Sequence, residues 1–213
     1  MLASADHRFT LDNLGRYTDV LGLHGGKTLT VRFLEPRDAD ALMDYFRALS
    51  QRSRYSRLLG AASELPPSEL DKALHVGEGN RFAVVAEMKI HGVDTIVGEA
   101  RYSFDAQTGD SEFGVSVGDG WHGQGIGAAM LANLECRAAA LGAQRLFGET
   151  LRNNDQMIGL ARKSGFVFKT APSDWRLTRF EKPLHHAADI PCESWKQAAA
   201  AGWPLQEAAL TAR

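Results

Sequence analysis

Apolar and polar positions alternate along Thr28–Leu34 (TLTVRFL), the period-two mark of a half-buried, β-branched strand. The period then changes. After Pro36-Arg37-Asp38, the residues Leu42, Tyr45, Phe46 and Leu49 fall at i, i+3, i+4 and i+7, one face of a helix. Ser50–Gly60 carries arginines without an apolar period and reads as a loop, and Pro66-Pro67-Ser68 opens a shorter helix to about His75. Strand patterns return at Arg81–Met88, Thr95–Phe104 and Ser111–Val117, with turns around His91-Gly92 and over Asp105–Asp110. Connections that short predict an antiparallel meander.

Beyond the meander, helix and strand alternate. Gly125–Leu141 reads as a long helix with Ile126, Met130, Leu134, Ala138 and Leu141 on one face, followed by a strand at Arg145–Thr150. Asn154–Ser164 is a helix carrying Met157, Leu160 and Ala161, with Gly165 just past its end, where a left-handed residue is expected. Phe166–Lys169 and Arg176–Glu181 close the pattern as strands. The fold class that follows is α/β (α+β), with a mixed, mostly antiparallel sheet flanked by helices. Residues 1–26 read as an N-terminal extension, 27–182 as one domain and 183–213 as a helical C-terminal extension rich in Ala.

Composition narrows the function. The chain has 213 residues, 44% hydrophobic and 23% charged, and its 24 basic and 26 acidic side chains leave a net charge of −2. Such a balance does not hold a nucleic-acid backbone by charge. No apolar run reaches the length of about 18 residues that a membrane helix needs, and no signal-peptide core stands at Met1–Arg8. Cys136 and Cys192 lack metal-ligand spacing, so a reducing, cytoplasmic setting without a resident metal is expected, with Cys136 a small apolar side chain.

The chemistry concentrates in one stretch, Gly118-Asp-Gly-Trp-His-Gly-Gln-Gly-Ile-Gly-Ala128, between a strand and the long helix. Glycines 123, 125 and 127 let backbone approach a ligand closely, and first-turn N–H groups without internal partners favour an anion such as a pyrophosphate. Two ligand classes compete. Gly123-x-Gly125-x-x-Ala128 satisfies a degenerate dinucleotide fingerprint, with Glu149 as the ribose-binding acid. Against it, residues 118–122 separate the strand from Gly123, and too little chain remains for further βα units. The triphosphate pattern Gly-x4-Gly-Lys-Ser/Thr is absent.

His122-Gly-Gln-Gly125-Ile-Gly127 resembles the acyl-CoA loop of the GCN5-related N-acetyltransferases, Arg/Gln-x-x-Gly-x-Gly/Ala, departing from it only at the first position. Asn153-Asn154 through Gly165-Phe166 resembles the same family's Asn-containing helix and Gly-Phe, and the order of elements over roughly residues 27–182 agrees. Arg47–Tyr55, Ser111-Glu112-Phe113 and Met157–Phe166 are similar to the acetyltransferase domain of bacterial protein-lysine acetyltransferases. The resemblance implies a GNAT-like fold, acetyl-CoA as co-substrate and a primary amine acceptor, either a protein lysine or a small molecule. It also implies that Val115, Val117, His122, Gly123, Gln124, Gly125, Ile126, Gly127, Ala128 and Asn154 hold acyl-CoA, with a backbone N–H near Val117 as oxyanion donor. Asn154 reads equally as an ordinary helix N-cap.

A protonated amine must lose its proton before it attacks a thioester, so a base is required. Strand alternation puts Glu112 with Gly114 and Ser116 on one face, which leaves room for an amine and a water, and Glu112 is the candidate base. Many family members carry a general-acid Tyr four residues before the Gly of Gly-Phe; that position is Ala161, and no general acid is assigned. Its absence keeps open a non-catalytic acyl-CoA sensor as the alternative to an enzyme. Arg52, Arg54 and Arg57 around Tyr55 read either as a solvated face or as a grip on an acidic substrate. Trp195 and Trp203 read as packing surfaces, within the chain or between two copies in a homodimer.

Overall fold

The computed structural model describes residues 18–171 and 174–184. The expected C-terminal helical tail, His185-His186, Cys192, Trp195 and Trp203 lie outside the described residues. One sheet holds eight strands: β1 (Asp19–Gly22), β2 (Thr28–Phe33), β3 (Arg81–Ile90), β4 (Val93–Asp105), β5 (Asp110–Val117), β6 (Arg145–Leu151), β7 (Val167–Thr170) and β8 (Leu177–Pro183). Their spatial order is β1-β2-β3-β4-β5-β6-β8-β7. Every neighbouring pair is antiparallel except β5 and β6. Helices α1 (Ala39–Ala48), α2 (Gln51–Leu58), α3 (Pro67–Leu74), α4 (Ile126–Ala140) and α5 (Asp155–Lys163) flank it.

The predicted apolar faces are the buried ones: Leu42, Tyr45, Phe46 and Leu49 around α1, and Ile126, Met130, Leu134 and Ala138 on α4. Phe113, Phe166 and Phe180 meet edge-on or tilted with ring centroids 5.6 to 5.7 Å apart, pinning β5, the end of α5 and β8 together. Gly148 is small for a steric reason: a Cβ there would sit 2.9 Å from the Phe180 ring and 3.0 Å from the Phe113 carbonyl.

Three expectations need correction. Gln51–Leu58 is helix α2, not a loop. Its order comes from tertiary partners rather than an apolar stripe: the Ser50 side chain caps Ser53 N–H, Arg57 pairs with Glu99 of β4, and Tyr55 and Leu59 pack on Leu151 and Leu177. The second correction concerns the N-terminal extension, whose residues 19–22 form an edge strand of the sheet. Asp19 is tied to the core because its Oδ2 accepts from Asn133 Nδ2 at 2.7 Å and from the fully buried Arg137 at 2.9 Å, both on α4. Finally, Cys136 is buried on α4 but is not a free thiol, so it is more than a small apolar side chain.

Candidate active site

Strands β5 and β6 run parallel through only three register pairs, Asp110–Glu112 against Arg145–Phe147. Beyond Glu112 the strands part, and β5 keeps only β4 as a neighbour. Gly118 N–H donates to Val97 O at 2.8 Å; since consecutive strand amides alternate sides, the Val117 N–H faces away from β4, toward the opening. The parting opens a groove of about 1250 Å³. It brings together Glu112, Val115, Val117, His122, Gly123, Gly125, Ile126, Gly127, Ala128 and Asn154, whereas Gln124 stands outside it.

The glycine loop lies at the end of β5. Gly123 and Gly125 have φ of +76° and +85°, a left-handed conformation that side chains disfavour. Gly125 precedes the first residue of α4, so the loop ends on a helix N-terminus with its unpaired amides. At Gly127 an added Cβ would press to 3.3 Å of Leu160 on α5, so this glycine lets the two helices approach.

Neighbouring side chains fix the loop. His122 Nε2 lies 2.8 Å from Val117 O and its Nδ1 lies 3.3 Å from Gln156 Nε2, so both ring nitrogens have partners. Asp119 accepts from Ser50 N–H at 2.7 Å, Ser53 Oγ at 2.7 Å and Ser50 Oγ at 3.0 Å, joining the loop to the start of α2. Burial alone would raise the Asp119 pKa, but these hydrogen bonds and nearby His122 outweigh it and hold the carboxyl below its ordinary value. Ser116 shares a 2.8 Å hydrogen bond with Tyr45 OH on α1, and burial pushes that phenol upward.

Asn154 serves as an N-cap. Its Oδ1 accepts from Met157 N–H at 3.2 Å, and its Nδ2 donates to Thr150 Oγ1 on β6 at 2.9 Å. In that position it ties the start of α5 to β6 where the strands have already parted. Sequence left reach toward cofactor and capping both open; the hydrogen bond from Met157 N–H shows the capping.

Glu112 opens into the groove. Partial desolvation is the largest reason its pKa lies above the ordinary carboxylate value; the Glu149 charge adds to the rise and Arg179 opposes it. Glu149 lies 3.8 Å from Arg179, whose guanidinium stacks 3.6 Å over the Phe147 ring. Sequence reading did not find Ser116–Tyr45, Asp119 or the Glu149–Arg179 setting of Glu112. Their partners come from distant segments and leave no local pattern.

The three arginines separate. Arg52 lines the groove, Arg54 donates inward to Leu49 O, and Arg57 is paired with Glu99, their side chains only 6% and 4% exposed. Truncating one member of a buried pair strands the other charge. Glu99→Ala is therefore expected to cost about 3–5 kcal/mol of stability in urea unfolding, and Arg57→Met added to it should recover most of the loss.

A splayed strand pair ending in a glycine loop on a helix N-terminus defines a class: an α/β protein with an open groove between parted strands and unpaired helix amides beside it. Residues 41–166 match the acetyltransferase (GNAT) family, and the chain belongs to that family. It is 27% identical over 155 residues to the acetyltransferase PA5475 of Pseudomonas aeruginosa, covering 73% of this chain and 83% of that protein. The crystal structure of the GNAT domain of PAT from S. lividans superposes with a TM-score of 0.72 at 22% identity, covering 83% of this chain and all of that one (100%). The spermidine N-acetyltransferase of Vibrio cholerae, in complex with CoA and spermine, superposes with a TM-score of 0.60 at 14% identity, covering 76% of this chain and 98% of that one. The chain is an acyl-CoA-dependent N-acetyltransferase. Membership sets aside the dinucleotide reading of the loop.

Proposed function

We propose that the chain moves the acetyl group of acetyl-CoA to a primary amine, on a protein lysine or a small molecule, by direct attack with Glu112 as general base. The observation that carries this reading is the position of Glu112: a carboxylate opening into the groove where β5 and β6 part, with its basicity raised by partial burial.

Acetyl-CoA supplies the acetyl group as a thioester, activated toward amines. The amides that follow Gly125 offer an anion site to its phosphates, and the β5 edge at Val115 and Val117 offers unpaired backbone to its pantetheine arm. Glu112, directly or through a water, takes the proton from the acceptor ammonium so that a neutral amine attacks. The Val117 N–H stands ready for the negative charge that develops on the carbonyl oxygen. Ala161 is fully buried where the family pattern has its acid, so departure of the thiolate is unassisted from that position.

Co-substrate choice has a direct test. Saturating acetyl-CoA at about 100 times its Kd should stabilise the folded chain by about 2.7 kcal/mol, seen as a higher Tm, and NAD should leave Tm unchanged. A shift with NAD and none with acetyl-CoA would contradict the assignment of the loop. The acceptor class is resolved by profiling lysine peptides and free amines with labelled acetyl-CoA, where label must appear on a primary amine.

A further inference from the structure

Strands β1 and β2 form a hairpin whose turn lands on the glycine loop. Leu21 pairs with Leu29 and Gly22 with Thr28, Leu23 N–H donates to Lys27 O at 2.8 Å, and Gly25 and Gly26 close the turn at φ of +79° and +73°. At its tip Lys27 Nζ donates to Gln124 Oε1 at 3.0 Å. His24 Nδ1 lies 3.8 Å from where a Cβ on Gly125 would be. Two nitrogen-bearing side chains thus stand at the start of α4, where the helix amides lack partners.

The loop brings no free cation of its own. Where the family pattern places Arg or Gln, this chain has His122, and both ring nitrogens of His122 are engaged by Val117 O and Gln156. Lys27, by contrast, leans on a neutral amide. Among the described residues neither Lys27 nor His24 pairs with a carboxylate. Lys163 of α5 lines the groove.

We propose that this turn is a second wall of the co-substrate site, with Lys27, and His24 beside it, binding a phosphate group of CoA. The proposal rests on the acetyl-CoA reading above. An ammonium on a phosphate oxygen makes a charge-assisted hydrogen bond, stronger than the bond it now makes to Gln124. Exposure and salt limit its strength.

The experiment is calorimetric titration of acetyl-CoA, its 3′-dephospho form and acetyl-pantetheine into wild type, Lys27→Ala and Lys27→Arg. Lys27→Ala should weaken acetyl-CoA about threefold to tenfold at low salt, less at high salt, with acetyl-pantetheine unchanged and Lys27→Arg close to wild type. A loss confined to acetyl-CoA assigns Lys27 to the 3′-phosphate, and a loss shared with the 3′-dephospho form assigns it to the pyrophosphate. Equal weakening of all three ligands, or of none, overturns the proposal, since Lys27 would then act only through loop shape or not at all. A wild type that fails to take up acetyl-CoA overturns the underlying reading, and the proposal with it.

Discussion

Glu112→Gln should slow acetyl transfer about a hundredfold to ten-thousandfold while leaving acetyl-CoA affinity near that of the wild type. Glutamine keeps the shape and the hydrogen bonds but cannot accept a proton. The working base is the ionised carboxylate, so the wild-type rate should rise with pH through a pKa above the ordinary carboxylate value, and the variant should lack that limb. The loss should shrink at high pH, where more of the amine arrives neutral. The same shift has a stability consequence. Because the folded state disfavours the ionised form, ionisation of Glu112 weakens folding as pH rises through its folded-state pKa and has no effect below the unfolded value. Glu112→Gln should therefore melt no lower than wild type at neutral pH, with the difference vanishing in acid. Equal turnover by both proteins would make Glu112 an ordinary strand carboxylate.

Gly125→Glu should abolish acetyl-CoA binding, with affinity falling more than about a hundredfold. The substitution places a carboxylate at a helix N-terminus suited to anions, and it forces a side chain onto backbone at φ of +85°. That strain alone costs about 1–2 kcal/mol of stability, so circular dichroism should still report a folded chain. Calorimetric titration decides: a folded Gly125→Glu that binds acetyl-CoA normally would move the phosphate site away from this loop.

The parts of this architecture that could be read from sequence are those that local physics dictates. Leu42, Tyr45 and Phe46 share a helical face because the core needs one, and the glycines at 123 and 125 mark a loop because their φ values favour glycine. Helix α2 escaped because its support is distant: Asp119 engages Ser50, and Glu99 holds Arg57. Four-residue β1 is ordered by Asp19 reaching α4, a contact that no window of sequence contains. At the site, Glu112 was legible from strand alternation, but its electrostatic setting was not. Glu149 and Arg179 reach it from β6 and β8, which no local pattern connects. Asn154 carried several readings in the sequence, and hydrogen bonds to Met157 and Thr150 show it capping α5 against β6.

Acetyl transfer to an amine at the parted strands can be followed at both ends of the reaction. The measurement records thiol release and acceptor mass together, with acetyl-CoA and a panel of lysine peptides and polyamines, for wild type and Glu112→Gln. One CoA thiol should be released for each acetyl group gained on a primary amine, and that coupled rate should collapse in the variant. Wild type that binds acetyl-CoA yet acetylates no amine in the panel, or releases thiol without modifying an acceptor, would contradict that transfer.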